Sequence, residues 1–136
     1  MESSHELNAR PTAAATAIQP GKTLPSVVAV FEQMQATPYG DNLRRMVLEG
    51  INRTGYEMEL HLTELQPGAE PHPPHRHAHE EIVMLQKGIV DATIEGTTTR
   101  LTPGSVVYVA SNQLHGWRNA GSEPSQYFIV ALKFES

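Results

Sequence analysis

The chain has 136 residues, a formal net charge of −5 with seven His counted neutral, ten Gly, ten Pro and no Cys. That length fits one domain, and the missing Cys excludes disulfides, thiolate catalysis and Cys-ligated zinc or iron–sulfur sites, so a metal would have to use His and carboxylates. The acidic balance offers no basic surface to neutralise phosphates, so nucleic acid is not an expected partner.

Residues 1–22 carry an Ala/Thr-rich piece at 12–17 flanked by Pro11, Pro20 and Gly21. With little apolar bulk to bury, they read as a flexible N-terminal arm, either a loose terminus or a strap onto a partner subunit, ahead of a single domain at 23–136. No stretch approaches the roughly 18–20 consecutive apolar residues that span a bilayer, and no charged-then-apolar leader opens the chain. A soluble protein without a membrane partner is expected, cytoplasmic by default, with export under a removed leader as the alternative.

After Leu24 the β-branched run Val27, Val28, Val30 and the stretch 44–48 read as strand, with room for only a brief helix at 31–35. Tyr56, Met58, Leu60 and Leu62 alternate with Glu57, Glu59 and His61, the period of a strand that buries one face, here the apolar one. Further strands are expected at 82–85, 90–95, 98–101, 105–109 and 127–134, punctuated by Gly88, Gly96, Pro103-Gly104 and Gly121. So many short strands imply an all-β sandwich or closed barrel.

Four of the seven His fall between Gly68 and Gly88. In extended chain His75 and His77 point to the same side, so both imidazoles can reach one ion. Glu81 or Glu80 can add a carboxylate if 78–80 bend, Glu81 being favoured at the head of the next strand, and His115 can complete the set. Equally, a His cluster can be a fortuitous tract in a loop, which Pro71, Pro73 and Pro74 would suit. His5, His61 and His72 read as surface or hydrogen-bonded residues outside the ligand set. His79 is a neighbour of the site or an exposed loop residue. Trp117 packs in the core or walls the pocket. Arg76 and Arg118 should point outward, Arg76 towards Glu80 or a partner subunit.

These residues carry a family likeness: the sequence resembles the cupins. The first cupin motif falls on Gly68, His75, His77, Glu81 and Gly88, with one extra residue after Gly68. The second falls on Gly104, Ala110, Asn112, His115 and Asn119, where Ala110 and Asn112 replace the family's Pro and Gly. Asn tolerates a left-handed backbone, so the turn at Asn112 can survive the exchange. The resemblance implies a double-stranded β-helix, a jelly-roll barrel of two antiparallel sheets, and one divalent transition metal ion (Fe, Mn, Ni, Zn, Co or Cu) on His75, His77, Glu81 and His115.

Three imidazoles and a carboxylate leave up to two octahedral positions for water, dioxygen or substrate. The family implies a metal-dependent dioxygenase acting on a small chelating substrate such as a diketone or catechol-like diol; the alternatives are a metal-dependent isomerase and a non-catalytic small-molecule-binding cupin. Met84, Tyr108 and Trp117 are candidate pocket residues. The strand-rich stretch before Tyr56 exceeds a minimal barrel, which points to a homodimer.

Overall fold

The computed structural model describes residues 17–133. Its strands are β1 (Ala17–Thr23), β2 (Ala36–Tyr39), β3 (Asn42–Ile51), β4 (Glu57–Leu65), β5 (Glu80–Lys87), β6 (Val90–Ile94), β7 (Thr97–Leu101), β8 (Val106–Val109), β9 (His115–Asn119) and β10 (Ser125–Lys133), with one 3-10 turn at Phe31–Gln33. The large sheet runs β1-β3-β4-β10-β5-β8, with β2 also paired to β3. The smaller sheet runs β7-β6-β9. All pairings are antiparallel except that of β1 with β3. This is the two-sheet jelly roll expected of an all-β chain with frequent turns. Most of the expected arm, residues 1–16, lies outside the described residues, while Ala17–Thr23 is strand and carries the expected boundary at 22 inside β1.

The run Val27, Val28, Val30 forms no ladder, and Val28 is 71% exposed. Propensity alone does not make a strand here, and β3, the next long strand, has no free side for it: β4 occupies one, and β2 and β1 share the other. The brief helix shrinks to the 3-10 turn. β1 and β2 are additional to the strands read from the sequence.

Alternation along β4 has the expected period but the opposite siding. Thr63, His61 and Glu59 stand opposite Tyr127, Ile129 and Ala131 of β10, and these in turn stand opposite Leu85, Val83 and Glu81 of β5. Residues directly opposite share a face, so the polar set of β4 faces the barrel interior and Met58, Leu60 and Leu62 lie on the other face, where Leu62 is nevertheless fully buried. The interior is polar because it is a cavity wall at that end. The dry core lies further along, where Leu65, Leu85, Val90, Leu101, Val109 and Trp117 are buried together.

Two turns show how sequence sets the register. Glu95 and Gly96 both adopt left-handed backbone (φ 46° and 84°) between the paired Ile94 and Thr97, a two-residue type I′ hairpin whose twist matches its strands. Asn119, 1% exposed, uses its amide to hold the following turn: Nδ2 donates to Leu65 O and Glu123 O, and Oδ1 accepts from Gly121 N. That accounts for an Asn at this motif position without any catalytic part.

Gly88 has φ 90°, and a Cβ there would lie 2.8 Å from Ser125 Cα and 3.2 Å from Pro124 O. Gly88→Ala should therefore cost about 2–4 kcal/mol, whereas Gly96→Ala, left-handed but in open space, should cost only about 1 kcal/mol. Chemical denaturation of both variants checks this; equal losses would assign the cost to backbone conformation alone.

Candidate metal centre

The site is assembled by one backbone contact. His75 forms an isolated antiparallel bridge with His115, His75 N donating to His115 O (3.0 Å) and His115 N to His75 O (2.9 Å). Two residues that exchange both hydrogen bonds project their side chains to the same side, and His77, two residues on, joins them. Asn112 N donates to His77 O (2.8 Å), and Asn112 takes the left-handed conformation expected of it (φ 64°). The turn before His115 is thus kept with Asn in place of Gly. The bend at 78–79 then delivers Glu81 at the second position of β5.

Ligand-type nitrogens of His75, His77 and His115 lie within 4.8 Å of one another. Glu81 bridges the cluster: Oε2 is 3.5 Å from His77 Nε2 and Oε1 is 3.4 Å from His115 Nε2. The structure therefore brings together all four expected residues. Glu80, the other carboxylate considered, instead accepts from Ser111 N (3.2 Å).

The donor chemistry fits a metal. Nε2 of His75, His77 and His115 are all buried without a hydrogen-bond partner, a costly state for a polar atom unless something else takes the lone pair. Nδ1 of His77 faces His79 O (2.9 Å) and Nδ1 of His115 faces Gln113 O (2.8 Å). A carbonyl accepts only, so each Nδ1 carries the proton and each Nε2 keeps its lone pair towards the cluster. Burial, with repulsion from His72, His115 and His77, lowers the His75 pKa to about 4, which keeps its ring neutral near pH 7.

His79 is not an exposed loop residue. Its ring stacks on His77 (centroids 3.7 Å apart, planes at 5°), and its Nε2 is 3.5 Å from Glu81 Oε2. His77, His79 and Glu81 thus form a second, overlapping group of metal-type donors. His72 stacks on His75 (3.9 Å) and points Nδ1 at Pro73 O, outside both groups.

A cavity of about 260 Å³ opens beside the histidines. Trp117, 3% exposed and 5.3 Å from the His115 ring, serves both as core and as cavity wall. Met84 and Tyr108 do not line it; they alternate with the inward Val83 and Val107 and project from the outer face. Arg118 is exposed and donates to Gly68 O, and Arg76 is exposed. Sequence reading missed Tyr39, Arg44, Glu59, Thr63, Tyr127 and Lys133 as cavity residues. The alternation in β4 was the available signal, had its polar side been taken as inward.

Among these, Glu59, His61 and Lys133 form a chain: His61 Nδ1 lies 2.9 Å from Glu59 Oε2, and Lys133 Nζ donates to Glu59 Oε1 at 3.2 Å. His61 is buried and hydrogen-bonded, one of the two placements expected of it.

The family model for the cupin domain matches residues 61–131, more than half of the chain. The chain belongs to the cupin family. No curated protein matches it. Among solved structures, this cupin is similar to KdgF from Halomonas sp. (TM-score 0.68, 17% identity, 79% of this chain and 93% of that one). It is also similar to an RmlC-like cupin from Shewanella frigidimarina (0.65, 20%, 79% and 91%). A third is the polyketide cyclase RemF from Streptomyces resistomycificus (0.63, 18%, 79% and 80%). At these identities the likeness establishes the fold. Among the described residues no helix is long and apolar enough to cross a membrane.

The hydrogen bond from His61, reinforced by Lys133, holds the Glu59 carboxyl down at about 2 from its ordinary 4.5. A depressed carboxyl pKa stabilises the fold above the unfolded value and loses that contribution as pH falls through the folded one. Glu59→Gln should therefore lower stability by about 1–2 kcal/mol at pH 7, with the difference shrinking between pH 4.5 and 2 and vanishing below. Urea unfolding of both proteins across that range measures it; a difference independent of pH would refute the charge argument.

Proposed function

We propose that this cupin is a metal-dependent enzyme of dioxygenase type, acting on a small oxygenated substrate that chelates an ion held by His75, His77, Glu81 and His115. The observation that carries this reading is the convergence of three buried, unpartnered Nε2 atoms and one carboxylate beside a cavity. When bound, such an ion supplies polarisation of a carbonyl or enolate oxygen and, if redox-active, a place for dioxygen. The chain itself supplies orientation through Gln113 O and His79 O, which fix the His115 and His77 tautomers. It also excludes water through Trp117 and Ile129.

A second reading, a metal-dependent isomerase or cyclase, is favoured by the Glu59–His61 pair on the same cavity. With Nδ1 taken by Glu59, His61 keeps Nε2 for accepting or returning a proton, a service that proton abstraction next to a carbonyl needs. The fold likeness to a polyketide cyclase is compatible with it. A ligand-binding cupin without turnover is the remaining alternative.

His77→Ala or His115→Ala should cut the metal content of protein purified without added ions by about tenfold or more while leaving a folded barrel, and His72→Ala should change it little. Elemental analysis decides, and full occupancy in both variants would sink the ligand set. Iron with dioxygen uptake on a diketone or catechol-like diol supports the dioxygenase; zinc or nickel with no uptake, but with exchange of a carbon-bound proton into deuterated water, supports the second reading.

The homodimer belongs to the same proposal. The outward faces of β4, β10 and β5 carry Leu60, Phe128, Val130, Leu132, Ile82 and Met84, an apolar stripe that suits a second copy. Light scattering should give twice the 15.0 kDa chain mass, and a monomer mass would refute it.

A further inference from the structure

One end of the cavity has donors and a positive charge that the metal centre does not use. Arg44, Thr63 and Tyr127 stand in one row across β3, β4 and β10. Glu59, Ala131 and Glu81 form another row across β4, β10 and β5. Tyr127 and Ala131 are four residues apart on β10, so the rows are separated by roughly 13 Å at backbone level. Ala131, between two glutamates, is the small side chain that leaves the interior open.

Two polar atoms in the first row lack partners. The Tyr127 hydroxyl is buried with no hydrogen-bond partner, on a residue only 1% exposed, and Arg44 Nε is buried without one as well. Thr63 lies next to the phenol without closing a hydrogen bond of good geometry. The Arg44 guanidinium is held 4.2 Å above the Tyr39 ring, and among the described residues no carboxylate pairs with it. Tyr39, Arg44 and Tyr127 all line the cavity. An unpaired guanidinium beside an unsatisfied buried hydroxyl is costly in isolation and complementary to an anion.

We propose that Arg44 and Tyr127 form an anion subsite that takes a carboxylate of the ligand, separated from Glu81 by the intervening row of His61, Ile129 and Val83. Arg44 presents its planar fork to the carboxylate, and Tyr127 donates its hydroxyl to one oxygen. Burial pushes the Tyr127 phenol pKa upward, so it remains a donor at any working pH. Charge selects carboxylate over phosphate. Lys133 is bonded to Glu59 in the other row, so among the described residues Arg44 is the cation of this row; it balances one negative charge, and a phosphate dianion would bury a second uncompensated one. The ligand class is then a small molecule with a carboxylate at one end and, on the function proposed above, a chelating oxygen pair at the other. Only that second end rests on the metal reading.

Matched acids test this by calorimetry on the full chain loaded with Mn(II): α-ketoglutarate against α-ketovalerate, and α-ketoadipate against α-ketocaproate. Each pair shares the chelating end and differs in the distal carboxylate. Wild-type protein should bind at least one diacid about tenfold or more tightly than its partner. Arg44→Gln should reduce that preference below about twofold with metal content unchanged, Tyr127→Phe should reduce it partly, and Arg44→Lys, which keeps the charge without the fork, should fall between. Unchanged melting temperatures for Arg44→Lys and Tyr127→Phe guard against misfolding as the cause. No preference in wild type, survival of the preference in Arg44→Gln, or stronger displacement of the diacid by inorganic phosphate than by glutarate would each overturn the subsite. Repeating the titrations on metal-stripped protein separates the two readings: a diacid preference in a chain that takes up no metal upholds the subsite and removes the metal assignment.

Discussion

The reciprocal backbone pair between His75 and His115 is the constraint on which the site depends. It joins a proline-rich connection that has no strand of its own to β9 of the smaller sheet, and it does so at the two residues whose rings must meet. Because directly paired residues share a face, closing this pair sets the orientation of both imidazoles, and the extended step to His77 sets a third. The contacts of Asn112 N with His77 O, and of the His77 and His115 Nδ1 atoms with backbone carbonyls, then fix the ring positions. A site built this way needs no side-chain packing to choose its geometry; the hydrogen-bond ladder chooses it.

The same barrel holds polar groups that folding alone would disfavour. Among the described residues six buried side-chain atoms have no hydrogen-bond partner, and five of them, on Arg44, His75, His77, His115 and Tyr127, line or border the cavity. Each such atom costs on the order of 1–3 kcal/mol when left unmade. Grouped at one cavity they form two complementary sets: lone pairs at the histidines, suited to a cation, and donors with a positive charge at Arg44 and Tyr127, suited to an anion. Stability is conceded where ligands would bind, and the dry core of Leu65, Leu85, Val90 and Trp117 supports it from below.

Charge is distributed unevenly around the interior, and this gives the cavity its polarity. Glu59 has two partners, His61 and Lys133, while among the described residues Arg44 has the face of Tyr39 and no carboxylate. The Glu59 network is therefore closed, suited to holding His61 in one orientation, whereas Arg44 remains open to a ligand. A barrel of this size can in this way present a proton-transfer pair, a metal-type donor set and an anion subsite within about 260 Å³.

Much of this was legible in the residues themselves. Short β-branched and alternating segments between Gly and Pro determine an all-β chain, because period-two patterns can bury a face only in a sheet. The spacing of His75, His77 and Glu81, with His115 at its motif position, marks the donor set, because side-chain direction in extended chain is a local property. The left-handed turn at Asn112 follows from the motif's Gly position together with the tolerance of Asn for that backbone. Tertiary structure decided the rest. The run Val27, Val28, Val30 forms no strand, both sides of β3 being taken by other strands. The apolar side of β4 turned outward because its polar side was wanted for a cavity. His79 joined the site by stacking on His77, and Arg44, Tyr127 and Glu59 became cavity residues only through cross-strand register. Period and type are written locally in the chain, but which face is inward depends on what the neighbouring strands place opposite, and that is settled only when the sheets close.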